Sequence, residues 1–288
     1  MEAVVATAEA TEVTDLKPCE HQAGGHFAVG KHAATFVDGS GKFYKLFQDD
    51  VRSGREASIY ETIFAGADDD EVRKEDMVAF RHFVPKYFGI VVSGDKKLLA
   101  LEDTCSAYQK PCVIDAKMGL TTIYDWSDGK YKAKNATKDL VTTQSTLGFR
   151  VTGFKVWQQD KGEYFVADRS YGKELTAETM PAALTKFGSN GSLTPRDVYG
   201  GPDGAVAKIR CLQSWFEAQR SLLFFAASII VVYEGAATRP EEANVTIRFI
   251  DFAHTFPSKG KRDDNVLPGV KILADLLERV AEDGGQRQ

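Results

Sequence analysis

The pattern of hydrophobic and polar positions in the first third of the chain predicts a small β-rich unit with one helix. Residues 34–37 and 42–47 form two extended runs around an Asp-Gly-Ser-Gly turn, which is typical of a hairpin. Residues 52–65 place apolar side chains at helical spacing on one side. Residues 84–92 and 97–101 are then predicted to form two more strands, separated by Ser-Gly-Asp.

The rest of the chain alternates between strand and helix patterns. A polar stretch, residues 102–110, ends at Pro111 and is the predicted boundary between two lobes. Strands are predicted to begin at Val113 and to cover residues 147–158, 163–167, 228–233 and 245–251. Helices are predicted at residues 125–139, 176–187, 204–225 and 266–280.

These elements predict an α+β protein with two lobes and a cleft between them. Residues 1–20 are expected to be disordered, residues 21–103 to form a β-rich N-terminal lobe, and residues 104–288 to form an α/β C-terminal lobe. The helix predicted at residues 125–139 is strongly polar and rich in Lys. Because ligands usually bind in clefts, functional residues are sought where the elements face one.

Composition excludes several classes of protein. The 288 residues include 36 Lys and Arg against 41 Asp and Glu, and 43% of them are hydrophobic. This balance excludes wholesale disorder and a globally basic nucleic-acid binder. The longest apolar stretch, residues 222–233, is shorter than the roughly 20 residues that cross a bilayer. Four cysteines form no C-x-x-C pair and no zinc spacing, so a reduced cytoplasmic or nuclear location is expected.

Two charged positions within apolar runs suggest phosphate and metal chemistry. Lys45 lies in a strand and Glu56 follows on the next helix, the arrangement by which protein kinases hold a Lys against nucleotide phosphates. The alternative is an edge-strand Lys that points into water. Asp251 ends a strand, where a carboxylate can bind Mg²⁺ together with phosphate oxygens. The alternatives for Asp251 are a helix N-cap or a surface turn.

The segment from Pro111 to Gly119 reads PCVIDAKMG and is the most specific stretch of the chain. Asp115 and Lys117 are two residues apart on an extended segment, so both side chains are expected to point the same way. An acid and a base that face one cleft can orient a hydroxyl and stabilise a phosphoryl group. The alternative is an exposed ion pair.

Lysines recur every four residues in the polar helix predicted at residues 125–139. On a helix, Lys130, Lys134 and Lys138 would form one basic stripe that could bind a polyanionic ligand. The alternative is a solvated helix face, because Asp128 and Asp139 lie close by in the sequence.

The pattern P-x-x-x-D-x-K-x-G at residues 111–119 resembles the signature of the inositol polyphosphate kinase family. Seven further segments resemble family motifs and follow in the family's order. They are HQAGGH at 21–26, FYKLFQ at 43–48, REASIYE at 55–61, LED at 101–103, LGFRV at 147–151, SIIVVYEG at 228–235 and IDFAH at 250–254. The resemblance covers residues 21–280.

The resemblance implies a fold like that of a distant protein kinase, with ATP and Mg²⁺ in the cleft. Lys45, supported by Glu56, would bind ATP phosphates, and Asp251 would hold Mg²⁺. The backbone of Glu102 and Thr104, with Asp103 between them, would hold the adenine. Lys117 would contact both the transferred phosphoryl group and the acceptor hydroxyl, and Asp115 would either orient the acceptor or bind ribose. The positions matching inositol phosphate contacts are Arg52, Lys130, Lys134, Lys138 and His254.

Within the family, the chain most resembles the multikinases, especially those of plants. Only 28 residues separate Gly119 from Gly148. The resemblance therefore implies a short helical substrate-binding insert at about residues 120–146. The implied activity is phosphorylation of soluble inositol trisphosphate and tetrakisphosphate by a monomer. Inositol hexakisphosphate kinases and trisphosphate 3-kinases are the alternatives. The chain departs from the family pattern at Leu46, where Pro is usual, and at Ala227-Ser228, where two serines are common.

Overall fold

The computed structural model describes residues 11–21, 34–65 and 71–284. Most of the HQAGGH motif therefore lies outside the described residues. No helix within these ranges combines the length and the apolar character that a membrane span requires.

The N-terminal lobe is built on an antiparallel five-stranded sheet in the order β1-β2-β3-β5-β4. Its strands are β1 (Lys17–Pro18), β2 (Thr35–Val37), β3 (Lys42–Leu46), β4 (Tyr87–Ser93) and β5 (Lys96–Glu102). The predicted β2–β3 hairpin is confirmed. Its turn places Gly39 and Gly41 at φ of 76° and 88°, a conformation that glycine adopts without steric cost.

Two helices follow β3 and pack against the C-terminal lobe. Helix α1 (Asp50–Ala65) is amphipathic as predicted and buries Ile59, Tyr60 and Ile63. Helix α2 (Lys74–Phe80) continues into a 3₁₀ turn, Arg81–Phe83. The sequence analysis did not predict α2, because its apolar positions span only two turns.

The C-terminal lobe contains a second antiparallel five-stranded sheet, in the order β11-β10-β6-β7-β8. Its strands are β6 (Pro111–Met118), β7 (Phe149–Gln158), β8 (Glu163–Ala167), β10 (Ser228–Glu234) and β11 (Thr246–Ile250). A two-stranded ribbon pairs β9 (Leu222–Phe224) with β12 (Thr255–Pro257). The central strands β6 and β10 are largely buried, which explains their nearly continuous apolar sequence.

Helices cover this sheet and form the insert. The insert contains α3 (Gly129–Leu140) and α4 (Gln144–Leu147). Asp128 is the N-cap of α3, because its side chain accepts a hydrogen bond from the Tyr131 N–H. The remaining helices are α5 (Arg169–Glu174), α6 (Met180–Phe187), α7 (Pro195–Tyr199), α8 (Ala205–Ala218) and α9 (Leu267–Gly284). A 3₁₀ turn, Pro240–Glu242, precedes β11.

One hydrophobic core extends through both lobes. It includes Ile63 of α1, Phe80 of α2, Phe249 of β11 and Leu273 of α9. Phe80 stacks on Trp215 with ring centroids 4.0 Å apart, which fixes α2 against α8. The two-lobed α+β architecture that the sequence predicted is therefore confirmed, with the lobes sharing a core.

Two sequence predictions need correction. Residues 1–20 were expected to be disordered, but Lys17 and Pro18 form β1, and Val13 and Leu16 pack on the outer face of the N-terminal sheet around Tyr44. Residues 1–10 lie outside the described range.

The helix predicted over residues 204–225 ends at Ala218. The buried side chain of Gln219 accepts hydrogen bonds from the N–H groups of Ser221 and Leu222, at 2.9 and 3.0 Å. These bonds turn the chain into β9, although no Gly or Pro stands at this point of the sequence.

Candidate functional site

A cavity of about 820 Å³ lies between the two sheets and receives side chains from both lobes. Most of the predicted site residues line it. They are Lys45, Arg52, Glu56, Glu102, Asp103, Thr104, Asp115, Lys117, Lys134, Lys138, Asp251 and His254. Of the predicted set, Lys130 is exposed and does not belong to the lining.

Lys45 makes two ion pairs across the cleft. Its Nζ is 2.9 Å from Glu56 Oε1 and 2.6 Å from Asp251 Oδ1. Burial on its own would lower the pKa of the Lys45 ammonium, but Asp251 and Glu56 outweigh it and raise the pKa. Lys45 is therefore a fixed positive charge, and the alternative of a lysine pointing into water is excluded.

Asp251 lies between two lysines. Its Oδ2 is 4.0 Å from Lys117 Nζ, on the side opposite Lys45. Burial would raise the pKa of the Asp251 carboxyl, but the two lysines lower it to about 2. The backbone of Asp251 has φ of 70°, a left-handed conformation that Asp adopts more readily than most residues. A strained residue that stays ionised at the end of β11 is consistent with a functional carboxylate.

Lys117 and Asp115 face the cavity from β6. Lys117 Nζ donates to the carbonyl of Ala226 at 2.6 Å, and burial lowers its pKa, partly offset by Asp251 and Asp115. Asp115 Oδ1 is buried and accepts no hydrogen bond from the residues that the structure describes. Burial raises the pKa of the Asp115 carboxyl. Asp115 as a residue lines the cavity, so its carboxylate can accept a hydrogen bond from a ligand there.

Three side chains of β6 lie at successive positions along the cleft. Val113, Asp115 and Lys117 all line the cavity, and alternate residues of a strand are about 7 Å apart. Val113 packs near Cys105, beside the connection between the lobes. Lys117 is at the far end of the strand, near Asp251. Asp115 lies between Val113 and Lys117.

The predicted hinge forms the end of the cleft near Val113. Glu102, Asp103 and Thr104 connect β5 to the C-terminal lobe. Asp103 stabilises this connection, because its N–H donates to the Gly41 carbonyl at 2.9 Å and its Oδ1 accepts from the Cys105 N–H at 2.9 Å. The Asp103 side chain is thus committed to the turn.

The opposite end of the cleft is basic. Lys134 and Lys138 of α3 line it, and Lys138 Nζ donates to Asn135 Oδ1. Burial, followed by the nearby Arg150 charge, lowers the pKa of Lys138 to about 8. Arg52 of α1 lines the same end and pairs with Asp49.

His254 sits in an aromatic cluster at this end. Its Nδ1 is 3.2 Å from the Tyr124 hydroxyl, and its ring centroid is 4.9 Å from that of Tyr131. Burial, with the charges of Arg55 and Arg52, lowers the pKa of His254 to about 4. The imidazole is therefore neutral at pH 7, so it can offer a ligand a hydrogen bond but not a full positive charge.

The sequence analysis missed several residues of the cavity. Arg150 of β7, Arg169 at the start of α5, and Thr122 and Tyr131 of the insert all belong to the lining. A signal existed for Arg150, because it interrupts an apolar strand just as Lys45 does. No comparable pattern distinguishes the other three.

The acidic residues of the cleft fit a magnesium ion that is shared with a phosphate ligand. Within residues 11–21, 34–65 and 71–284, no group of three or more His, Cys, Asp or Glu side chains is arranged to hold a metal ion. Mg²⁺ commonly takes one or two carboxylates and completes its shell with phosphate oxygens and water. The ionised Asp251 satisfies the protein part of that requirement.

Comparisons with known proteins agree with this arrangement. The inositol polyphosphate kinase family model matches residues 98–278. The chain is 32% identical over 291 residues to inositol polyphosphate multikinase beta of Arabidopsis thaliana, covering 92% of this chain and 95% of the relative. A solved structure from structural studies and protein engineering of inositol phosphate multikinase superposes with a TM-score of 0.67 at 29% identity, covering 78% of this chain and 99% of that one.

A second solved structure shares the fold at lower sequence identity. The multikinase Ipk2 of S. cerevisiae, in complex with ADP and Mn²⁺, superposes with a TM-score of 0.65 at 19% identity. It covers 83% of this chain and 98% of the yeast chain. The family model extends over more than half of the residues, and the signature segment at Pro111–Gly119 lies within it. This chain belongs to the inositol polyphosphate kinase family.

Proposed function

We propose that this protein is an ATP-dependent inositol polyphosphate multikinase. It transfers the γ-phosphoryl group of Mg-ATP to hydroxyls of soluble inositol trisphosphate and tetrakisphosphate, towards the pentakisphosphate. The observation that carries the proposal is the row formed by Lys45, Asp251 and Lys117, with contacts of 2.6 and 4.0 Å, which crosses the cleft from the N-terminal lobe to the C-terminal lobe.

The nucleotide would lie along β6, with its adenine at the hinge. Val113 would face the adenine, and the backbone of Glu102 and Thr104 would bind its edge. Asp115, midway between Val113 and Lys117, is then level with the ribose, and its carboxylate can accept a hydrogen bond from a ribose hydroxyl. We therefore favour the ribose role over orientation of the acceptor.

The phosphates would lie among Lys45, Asp251 and Lys117. Asp251 would hold Mg²⁺, which neutralises charge on the β- and γ-phosphate oxygens when it is bound. Lys45 is held in place by Glu56 and would bind the nucleotide phosphates. Lys117, whose side chain is only 19% exposed, would contact the γ-phosphoryl group and the acceptor hydroxyl together.

Transfer forms a bond between the acceptor oxygen and the γ-phosphorus. It breaks the bond from that phosphorus to the bridging oxygen, which leaves with ADP, and the hydroxyl proton is released. The transition state is loose, so catalysis depends on positioning and on neutralising shared negative charge. Lys45 and Lys117 supply positive charge on either side of Asp251.

The acceptor would occupy the basic end of the cleft. Arg52, Lys134 and Lys138 line this end, and His254 can add a hydrogen bond. The Arabidopsis relative carries the name inositol polyphosphate multikinase, which supports an inositol ring bearing several phosphates as the acceptor. We further propose that the protein acts as a monomer in the cytoplasm or nucleus. Its four cysteines are unpaired, which is consistent with a reducing compartment.

The test is product analysis. Purified protein is incubated with Mg-ATP and inositol trisphosphate, tetrakisphosphate or hexakisphosphate, and the products are separated by phosphate number. We expect the first two substrates to be consumed to pentakisphosphate, and Lys117→Ala to abolish this conversion while leaving the unfolding temperature within a few degrees. Preferential consumption of hexakisphosphate would favour a pyrophosphate-forming kinase, and no conversion of any substrate would refute the proposal.

A further inference from the structure

We propose that Arg150 is a specificity-determining residue, which binds a phosphate group of the acceptor next to the hydroxyl that receives the γ-phosphoryl group. The inference rests on the proposed function, because it assigns acceptor recognition within the same cleft. Nothing in the sequence motifs alone gives Arg150 this role.

The sheet register puts Arg150 beside Lys117. The two residues are partners across β6 and β7, so their side chains leave the sheet on the same face. On the other side of Lys117, β10 contributes Ser228, and Asp251 follows β11. Lys117 therefore separates the carboxylate proposed to hold the metal from the guanidinium of Arg150. If the donor phosphates lie on the Asp251 side, Arg150 lies on the acceptor side.

The guanidinium has hydrogen-bond donors to spare. Its side chain is 9% exposed, and Nη1 donates to Gln144 Oε1 at 2.7 Å and to Asp139 Oδ1 at 3.3 Å. Among the described residues, none accepts a hydrogen bond from Nε or Nη2, although a guanidinium carries five N–H donors in one plane. Because Arg150 lines the cavity, a phosphate there can accept these bonds.

Other cations lie close to Arg150, and its ion-pair partner is shared with a neighbouring residue. Asp139 is the ion-pair partner of Arg150, but its oxygens also accept from Thr122, at 2.7 Å from the N–H and at 2.8 and 3.0 Å from the hydroxyl. Lys117 and Lys138 add positive charge near Arg150, because the Arg150 charge contributes to lowering the pKa of each of them. Asp115 is a second carboxylate near both Arg150 and Lys117. An anion that joins this partly buried group lowers the mutual repulsion of its cations. A ligand with several phosphates supplies such an anion.

Gln144 sets the direction of the guanidinium. It is fully buried, and its Nε2 donates to the carbonyls of Gly119 and Lys117 while its Oε1 accepts from Arg150. The end of the insert thereby orients Arg150 relative to the signature strand. A planar fork held in this way suits bidentate phosphate binding, which a lysine ammonium cannot reproduce.

The experiment compares Arg150→Gln with the double variant Arg150→Gln/Asp139→Asn. The single variant leaves Asp139 buried without its cation, whereas the double variant removes both charges and should recover thermal stability. We expect both variants to raise the KM for inositol trisphosphate by about tenfold to a hundredfold, as for loss of a charge-assisted hydrogen bond. The KM for ATP should change by less than about twofold, and Arg150→Lys should recover only part of the loss.

Arg210→Gln is the matched control, because Arg210 pairs with Asp275 and Glu278 on the surface. It should leave both KM values unchanged. A wild-type KM for inositol trisphosphate in the double variant would show that Arg150 is structural and would overturn the inference. Calorimetric binding of inositol trisphosphate without ATP tests Arg150 separately from turnover. An inactive wild-type protein would therefore refute the proposed function alone, and unchanged binding by the double variant would refute the inference.

Discussion

Replacing Asp251 with Asn tests the charge arrangement at the centre of the cleft. Asn removes the negative charge, keeps a similar shape and tolerates the left-handed backbone at φ of 70°. We expect turnover to fall by at least about a hundredfold, because the proposed metal carboxylate is lost. The same change should also lower the free energy of unfolding, because Lys45 and Lys117 lose their shared partner.

The size of the stability loss follows from the pKa of Asp251. Its lowering from 3.8 to about 2 would correspond to roughly 2.5 kcal/mol in a group shielded from water. The side chain is 38% exposed, so solvent screening reduces the expected loss to about 1 kcal/mol. For a protein of this size, that is a decrease of about 2–4 °C in the unfolding temperature.

Urea denaturation at several pH values gives the decisive measurement. A carboxyl whose pKa is lowered by folding contributes stability above its ordinary pKa of 3.8, and this contribution is lost as the pH falls towards about 2. The difference in free energy of unfolding between wild type and Asp251→Asn should therefore be largest at pH 7 and decrease below pH 4. Asp275→Asn, at a surface ion pair with Arg210, is the control and should cost less than about 0.5 kcal/mol. An Asp251→Asn protein as stable as wild type at pH 7 would refute the reasoning.

The other predictions concern residues along the cleft. Lys134→Glu should raise the KM for inositol trisphosphate more than Lys130→Glu does, because only Lys134 lines the cavity; steady-state kinetics showing equal effects would contradict this ranking. Asp115→Asn should raise the KM for ATP by about tenfold. It should leave the KM for 2′,3′-dideoxy-ATP unchanged, because that nucleotide lacks the ribose hydroxyls. An equal increase in both KM values would exclude the ribose role. Folding lowers the pKa of His254 from 6.5 to about 4. As the pH falls from 6.5 to 4, this histidine is protonated in the unfolded chain before it is protonated in the folded protein, so the free energy of unfolding decreases. His254→Asn should make the unfolding temperature fall less over this pH range, and an unchanged fall would contradict the prediction.

The sequence predicted the parts of the site that depend on local pattern. Lys45 stands out as a charged residue within an apolar strand, and Asp251 as a charged residue at the end of one. Glu56 stands out because it follows Lys45 on the next helix. The structure brings all three together at 2.9 and 2.6 Å. Their assigned roles towards ATP and Mg²⁺ stay predictions.

Features that depend on distant pairing were not predictable in this way. The position of Arg150 depends on the register between β6 and β7, which includes a shift between Asp115 and Ala116. The stripe of lysines has regular spacing, but the orientation of α3 on the lobe decides that Lys134 lines the cavity and Lys130 does not. The end of α8 depends on hydrogen bonds made by one buried glutamine, Gln219, which no propensity encodes.

Helix α1 has a consequence for control of the enzyme. It carries Glu56, and it is fixed to the segment that follows Asp251: Arg55 Nη1 donates to the Ala253 carbonyl at 2.7 Å, and the Tyr60 ring lies 5.0 Å from that of Phe252. Protein kinases regulate activity by moving the equivalent helix and its Glu away from the strand Lys. Here the helix is anchored in the common core, so moving it away from β3 would break packing in that core. We expect a constitutively assembled catalyst, whose output in the cell follows its abundance and the supply of its acceptor.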